Sequence, residues 1–187
     1  MISRIKRVKE TQVYSNKNNP FIKIYCDEVQ FPNGIMGYYS RIVESEGKHG
    51  VAVLPLRYPL IGLVRQYRYP IDEEVWEIPR GFGESIDPRQ DAVRELREET
   101  GYTVNPDSLI SLGSIHPNSG LLASSVYLFI AHCFESPDNS IDENEIIQFK
   151  WFDINQVLDL VRDNEIKDSF TMCAILLANQ KKIINYT

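Results

Sequence analysis

Apolar residues along the chain follow two patterns, one typical of buried strands and the other of amphipathic helices. Near-continuous apolar runs at residues 50–56 and 60–67 predict strands buried on both faces of a sheet. Aromatic and branched residues at 21–31 and 37–43 flank the turn sequence Pro32-Asn33-Gly34, which predicts a β-hairpin. Further strands are expected at residues 109–115, 125–134 and 146–152.

Helical spacing is clearest at residues 88–100. Asp87 is placed to cap the N-terminus of this helix, and Pro88 suits its first position because proline lacks the N–H that would go unsatisfied there. Gly101 suits the left-handed residue that ends many helices. Four residues at helical spacing predict the face that packs on the core: Ala92, Val93, Leu96 and Thr100.

Two more helices are predicted towards the C-terminus. One follows Asp153, with Gln156 three residues later in the pattern of a capping box, and the other covers about residues 169–179. Strands that alternate with helices in this way predict an α/β or α+β fold, with a mixed sheet between helices. We expect residues 1–45 to form an antiparallel β segment attached to a main domain at 46–187.

Composition and charge narrow the class of protein. The chain has 187 residues with a formal net charge of −6, and this acidity argues against a nucleic-acid partner. The basic, polar start lacks the apolar stretch of a secretory leader, and no apolar run is long enough to span a membrane. Cys26, Cys133 and Cys173 are widely spaced and odd in number, which predicts neither a disulfide framework nor a zinc site. We therefore expect a cytoplasmic protein.

Three carboxylates crowd one side of the helix predicted at 88–100. Glu95 lies three residues before Glu98 and four before Glu99, and like charges at these spacings destabilise a bare helix by roughly 0.2–0.5 kcal/mol per pair. A hard divalent cation bound by these oxygens would compensate the repulsion. Arg94, four residues before Glu98, can orient that carboxylate by a charge-assisted hydrogen bond. On spacing alone, the alternative is a solvated charged helix face.

The sequence around these carboxylates resembles the Nudix box. Residues 94–102, Arg-Glu-Leu-Arg-Glu-Glu-Thr-Gly-Tyr, match every fixed position in the second half of that pattern. The first half departs from the pattern, since Gly81 lies three residues before Glu84 and Glu84 lies ten before Arg94, where the family has six and eight. The helix is unaffected by this change in the loop, whereas the contribution of Glu84 stays open.

Sequence outside the box, from about residue 20 to 178, resembles the ADP-ribose pyrophosphatase branch of the family. The matching features are residues 64–70, Val-Arg-Gln-Tyr-Arg-Tyr-Pro, then 76–79, Trp-Glu-Ile-Pro, and Pro117, sixteen residues after Gly101. Many branch members have Ser-x-Glu shortly after that proline, whereas residues 120–125 of this chain contain no carboxylate. The resemblance implies hydrolysis of the diphosphate bond of ADP-ribose or a related nucleotide sugar, giving a nucleoside monophosphate and a sugar phosphate.

The same resemblance implies roles for individual residues. Glu95 and Glu99 would be the main ligands of Mg²⁺ or Mn²⁺, Glu98 would support them or bind a further ion, and the carbonyl of Arg80 would add a ligand. Candidate substrate-binding residues are Arg68, Arg80 and Pro117. For Arg68, the planar guanidinium suits a phosphate, and the alternative is a surface ion pair.

A general base is expected in the acidic segment 140–146, which precedes a predicted strand. The resemblance favours Glu145, with Glu143 as the second candidate. A solvated loop accounts equally well for both carboxylates, because charged residues are common in loops.

Two other functions stay open on the sequence. The first is hydrolysis of another diphosphate, such as a dinucleotide or a coenzyme, which the missing carboxylate at 120–125 leaves possible. The second is a non-catalytic nucleotide sensor, although such domains usually lose box carboxylates that are all present here. Branch members often form dimers through the N-terminal segment, so the resemblance also implies a homodimer acting on a small-molecule nucleoside diphosphate.

Overall fold

The computed structural model describes residues 4–135, 137 and 146–185. These residues form two compact units. The N-terminal unit consists of the described part of residues 1–49 together with 116–125, and the main unit consists of the described parts of 50–115 and 126–187.

A four-stranded antiparallel sheet makes up the N-terminal unit. Its long strand β3 pairs with each of the other strands. The predicted hairpin is confirmed, because β3 and β4 pair from Ile22↔Glu44 to Gln30↔Met36 and Gly34 adopts φ +85° in the connecting turn. The strands are β1 (Lys6–Lys9), β2 (Gln12–Asn16), β3 (Asn19–Gln30) and β4 (Met36–Glu44).

The segment 116–125 joins this unit through the outer side of β4. The N–H of Ile42 donates to the carbonyl of Leu121, and the N–H of Ala123 donates to the carbonyl of Ile42, both at 2.9 Å. Ser124 also donates its hydroxyl hydrogen to the carboxylate of Glu44 at 2.8 Å. The turn that contains Pro117 is therefore held by its own unit.

The main unit has a seven-stranded mixed sheet with the order β11-β6-β5-β10-β9, in which β7 also pairs with β6 and β8 with β5. Strands β5 and β10 run parallel, and the other pairs are antiparallel. The strands are β5 (Gly50–Arg57), β6 (Leu60–Arg68), β7 (Glu73–Glu77), β8 (Arg80–Phe82), β9 (Ile110–Ile115), β10 (Val126–His132) and β11 (Ile146–Asp153).

Helices cover both faces of this sheet. They are α1 (Pro88–Thr100), α2 (Ile154–Arg162) and α3 (Ser169–Gln180), and short 3-10 helices lie at Ser45–Gly47, Tyr69–Ile71 and Pro106–Ser108. Within the described residues, no helix is long and apolar enough to cross a membrane.

Strand β5 shows why its sequence is continuously apolar. Val51 and Val53 point to the α1 face, where they pack with Ala92 and Leu96. The alternate residues of β5 point to the opposite face and join the core under α2 and α3: Ala52, Leu54 and Leu56. Both faces of the strand are thus buried, and the predicted mixed sheet between helices is confirmed.

The structure adds four strands that the sequence did not predict: β1, β2, β7 and β8. All residues of β1 and β2 are exposed, so these strands lack the apolar alternation by which strands are detected. Strand β8 has only three residues, one of them Gly81. The predicted division at residues 45 and 46 stays a prediction.

Candidate active site

Helix α1 begins and ends where the sequence predicted. The Asp87 carboxylate accepts the N–H of Arg89 at 3.0 Å, Pro88 occupies the first turn, and Gly101 closes the helix at φ +76°. Ala92 and Leu96 are fully buried on the sheet. These contacts fix the rotation of the helix about its axis, which in turn fixes the side on which its carboxylates lie.

Glu95 and Glu99 lie on the inner side of α1 with 8% and 6% of their surface exposed. The backbone of β8 runs directly against them. The N–H of Arg80 donates to Oε2 of Glu99 at 3.2 Å, and a β-carbon at Gly81 would collide with the Glu95 carboxylate. Glycine at residue 81 therefore lets the strand approach the carboxylate closely.

Negative charge accumulates around Glu99. Burial raises the pKa of Glu99 well above its usual range, and the nearby carboxylates of Glu95 and Glu77 raise it further. The N–H of Arg80 and the charge of Arg68 act in the opposite direction but do not outweigh these effects. A cation beside Glu99 would relieve both the burial cost and the repulsion.

Arg94 links the other carboxylates of the helix. Its guanidinium donates to Glu98 at 2.9 Å, to Glu95 at 2.7 Å and to the carbonyl of Phe82 at 2.8 Å. Burial alone would lower the pKa of Arg94, but the charges of its acidic neighbours raise it. The expected contact between Arg94 and Glu98 is present, while Glu98 itself is half exposed, with 42% of its side chain accessible.

A divalent cation fits this region by chemistry more than by preformed geometry. Glu95 and Glu99 offer buried carboxylate oxygens, the ligands that Mg²⁺ and Mn²⁺ prefer. Within residues 4–135, 137 and 146–185, no three His, Cys, Asp or Glu side chains already converge as a ligand set. Arg94 donates to Oε1 of Glu95, so a cation that binds this oxygen would compete with Arg94.

Glu77 was given no role from the sequence, yet it is the most deeply buried acid near the site, with 1% exposed. Its two oxygens accept from Arg68 and from Arg80, the latter at 3.2 Å. Its signal in the sequence is a single carboxylate within the apolar run Val75–Pro79. Arg68 thus makes the ion pair considered as an alternative to phosphate contact, but with a buried partner.

Asp91 is a second buried acid for which the sequence predicted no role. It is 2% exposed, and its carboxylate accepts the N–H groups of Glu84 and Ser85 at 2.9 and 3.1 Å and the Ser85 hydroxyl at 3.1 Å. Glu84 is left with 74% of its side chain exposed and lies 3.9 Å from Arg94. The loop before α1 is therefore fixed to the helix by Asp91.

The structure brings together the predicted residues that lie on the main unit: Arg68, Arg80, Arg94, Glu95, Glu98 and Glu99. Pro117, half-buried in a turn, belongs to the N-terminal unit. Glu143 and Glu145, the candidates for the general base, lie outside the described residues.

Comparison with known proteins gives a family and a fold. A family model described as the NUDIX domain matches residues 48–172. The chain is 29% identical to the methanol dehydrogenase activator of Bacillus methanolicus, over 91% of this chain and 90% of that protein. It is 28% identical to the ADP-ribose pyrophosphatase of Bacillus subtilis strain 168, over 96% and 95%.

A solved structure described as an ADP compounds hydrolase superposes with a TM-score of 0.83. The superposition covers 97% of this chain and 95% of that one, and the two are 17% identical. This similarity establishes the fold.

Proposed function

The chain belongs to the NUDIX family of pyrophosphohydrolases, and on this premise we propose that it hydrolyses the diphosphate bond of a nucleoside diphosphate derivative with the help of a divalent metal. ADP-ribose or a related nucleotide sugar is the first candidate substrate. The observation that carries the proposal is the buried pair Glu95 and Glu99 beside the guanidiniums of Arg68 and Arg80. The two carboxylates provide oxygen ligands for a divalent cation, and the guanidiniums can donate hydrogen bonds to the oxygens of a phosphate group.

Four groups of this chain would hold the metal. They are the carboxylates of Glu95 and Glu99, the carboxylate of Glu98 in support or at a further ion, and the backbone carbonyl of Arg80. When bound, Mg²⁺ or Mn²⁺ supplies charge neutralisation for the phosphate oxygens and a more acidic water. The close approach of Gly81 to Glu95 supports this arrangement, because it places the β8 backbone beside both main ligands.

The side chains around the carboxylates would bind and orient. Arg68 and Arg80 would donate to oxygens of the diphosphate, and Arg94 would hold Glu98 in one direction. A water oxygen bonds to one phosphorus while the bond from that phosphorus to the bridging oxygen breaks, and the water proton passes to a base. Glu145, or failing that Glu143, is proposed as this base. The products are a nucleoside monophosphate and a sugar phosphate.

ADP-ribose is preferred because of similarity along nearly the whole chain. The Bacillus subtilis relative is named for this substrate and aligns with 96% of the chain. Pro117 is proposed to contribute to substrate binding, by its resemblance to the branch. The Bacillus methanolicus relative is named for a different activity, so a panel that also contains dinucleotides and coenzymes is needed to identify the substrate.

We further propose a cytoplasmic homodimer assembled through the N-terminal unit. Large apolar side chains are exposed on its strands, as expected of a surface that a second copy covers: Val8, Val13, Tyr14, Phe21, Met36 and Tyr38. The three cysteines are free, which suits a reducing compartment. Sedimentation at micromolar concentration tests the assembly, and a monomer there would refute it.

Release of phosphate from ADP-ribose and from the substrate panel, with a coupled phosphatase, tests the proposed reaction. The assay compares Mg²⁺ with a chelator, and the wild type with Glu99→Gln and with Glu74→Gln, whose pair with Arg65 is exposed. Metal-dependent turnover that is lost in Glu99→Gln but kept in Glu74→Gln is expected. A folded protein that binds nucleotide but turns over no diphosphate would support the sensor function instead.

A further inference from the structure

We propose that Glu77 is a positioning residue, which holds Arg68 and Arg80 as a paired-guanidinium clamp for the diphosphate group. The inference rests on the proposed function and deepens it. Glu77 does not touch the substrate in this proposal. It acts through the two arginines, and the juxtaposition of one buried carboxylate with two guanidiniums is the observation that carries it.

The central contact is a buried carboxylate shared by two cations. Oε1 of Glu77 accepts from Arg68 and Oε2 accepts from Arg80, so each oxygen orients one guanidinium. Glu77 is 1% exposed, whereas about a quarter of each arginine side chain is accessible, 27% and 28%. The carboxylate of Glu77 is therefore covered by the two guanidiniums, and only the guanidiniums are accessible to a ligand.

Arg80 has a second set of restraints from helix α3. Asp168 lies 3.7 Å from its guanidinium, and the ring of Phe170 packs beneath it at 4.7 Å. Asp168 is itself fixed, because it accepts the N–H and hydroxyl of Thr171 at 2.8 and 2.7 Å. Thr171 in turn accepts the N–H of Ile78, one residue after Glu77, at 3.0 Å. The clamp is thus tied to the helix as well as to the sheet.

Both guanidiniums keep donors for a ligand. An arginine has five N–H donors, and one nitrogen of each side chain is engaged by Glu77. The Nε atoms of Arg68 and Arg80 are buried and lack an acceptor within the described part of the chain, so a ligand would meet the accessible part of each side chain beyond them. A diphosphate provides several oxygens, which suits two guanidiniums held side by side.

The clamp is adjacent to the proposed metal ligands. The N–H of Arg80 donates to Glu99 at 3.2 Å, and the charges of Glu77 and Arg68 both act on Glu99. A diphosphate placed here would have cations on one side and guanidiniums on the other. Contacts from two directions would hold the diphosphate beside the proposed metal ligands.

A second ion pair on the same two strands gives a matched control. Arg65 and Glu74 are nine residues apart in sequence, as are Arg68 and Glu77, and they also lie on β6 and β7, but on the other face of the sheet. Their contact is 2.6 Å long, but 43% of each side chain is exposed. This pair reports what loss of an arginine–glutamate contact does when no buried clamp depends on it.

The variant Glu77→Gln distinguishes a role of Glu77 in orienting the two arginines from a simple effect of its negative charge on ligand binding. Removal of one negative charge would by itself strengthen binding of an anion, since the neighbourhood becomes more positive. Loss of orientation would weaken it, because the guanidiniums are free to turn away. The two effects have opposite signs, so the direction of the change identifies the role of Glu77.

The test measures binding of inorganic diphosphate by calorimetry, in Mg²⁺ and again in chelator, for wild type, Glu77→Gln and Glu74→Gln. We expect the dissociation constant to rise by about ten-fold or more in Glu77→Gln, the loss expected when charge-assisted bonds are misaligned, and to stay unchanged in Glu74→Gln. With ADP-ribose, KM should rise similarly while kcat changes by less than about three-fold. Unchanged or tighter diphosphate binding by Glu77→Gln overturns the proposal, as does a wild type that binds no diphosphate in either buffer.

Thermal melting curves of the wild type and Glu77→Gln show whether the variant is folded under the conditions of the binding measurement. If Glu77→Gln does not fold, Glu77→Asp is used, because it keeps the charge and withdraws the carboxylate by one methylene group. A several-fold rise in the dissociation constant is then expected, and unchanged binding overturns the clamp. Failure of the proposed function gives a different result. In that case the wild type still binds diphosphate and Glu77→Gln still weakens this binding, but the wild type hydrolyses no diphosphate substrate.

Discussion

Glu77 and Glu99 are both buried acids of the main unit, but the chain treats their charges differently. Glu77, on strand β7, has a guanidinium on each oxygen. Glu99, on helix α1, accepts one backbone N–H, that of Arg80, and is repelled by the nearby carboxylate of Glu95. A buried charge needs compensation, because its removal from water costs several kcal/mol. The chain supplies that compensation at Glu77 and leaves it incomplete at Glu99, which suggests that a ligand completes it.

The two acids should therefore respond oppositely to neutralisation. At Glu77 the protein has adapted to a negative charge, so loss of the charge should damage the fold and the orientation of the arginines. At Glu99 the metal-free fold carries an excess of charge, so neutralisation should cost function and leave the fold intact. The following variants test this contrast, starting with the largest expected effect.

Glu99→Gln should lower kcat/KM for the diphosphate substrate by about a thousand-fold, equivalent to about 4 kcal/mol of transition-state stabilisation. The reason is loss of a proposed metal ligand. In chelator, its melting temperature should equal or exceed that of the wild type, since a buried charge with incomplete compensation is removed. Steady-state kinetics and differential scanning calorimetry measure the two effects. A clear loss of metal-free stability would show that Glu99 is a structural acid like Glu77.

Glu77→Ala should lower the free energy of unfolding by about 3 kcal/mol, because it leaves two partly buried guanidiniums without their acceptor. Urea denaturation in chelator measures the change. Glu99→Gln serves as the comparison variant in the same buffer. Equal stability of Glu77→Ala and the wild type would mean that the arginines find other partners, and the contrast between the two acids would disappear.

Stability in chelator should depend on pH through Glu99. Its pKa in the folded state is raised, above the value of about 4.3 for an unfolded glutamate. The folded state therefore binds this proton more tightly, so the contribution to stability is complete below the unfolded pKa and is lost as pH rises through the folded pKa. Glu99→Gln should remove this part of the pH dependence in thermal melts.

Mg²⁺ should reverse the loss at high pH by taking the place of the proton. A cation at one hundred times its dissociation constant stabilises the fold by about 2.7 kcal/mol. Melting curves at pH 8, with and without Mg²⁺, should show a rise for the wild type and little for Glu99→Gln. A shift of the same size in both proteins would place the cation elsewhere.

Glu74→Gln should have the smallest effect, about 0.2–1 kcal/mol on the free energy of unfolding, because its pair with Arg65 is exposed to solvent. High salt should abolish even this difference, since exposed pairs are screened. The measurement is a urea titration at low and high salt. A salt-insensitive loss of more than about 2 kcal/mol would exceed the range for exposed pairs and remove its value as a control.

The sequence predicted those features of the molecule that depend on residues close together in the chain. The boundaries of α1 follow from Asp87, Pro88 and Gly101, and their capping contacts are present in the structure. The buried strand β5 follows from its unbroken apolar run. In the same way, the spacing of Glu95 and Glu99 on a helix was enough to place both carboxylates on one side.

Side-chain contacts that depend on how the strands and helices assemble could not be predicted in this way. Glu77 meets Arg68 across two strands, and the partner of Arg80 at Asp168 lies 88 residues further along the chain. A sequence pattern gives no distance between such residues until the sheet is assembled. Strand β1 was missed for another reason, since all its side chains are exposed and it joins the sheet through backbone pairing with β3.

The anchoring of the loop before α1 by Asp91 has an evolutionary consequence. Asp91 binds Glu84 and Ser85 from within the first turns of the helix, so the loop is closed upon the same element that it precedes. Residues gained or lost between Gly83 and Pro88 would alter only this small closed segment, and Glu95 and Glu99 would keep their places. We therefore expect that the length of this loop can change in evolution without displacing the carboxylates of α1.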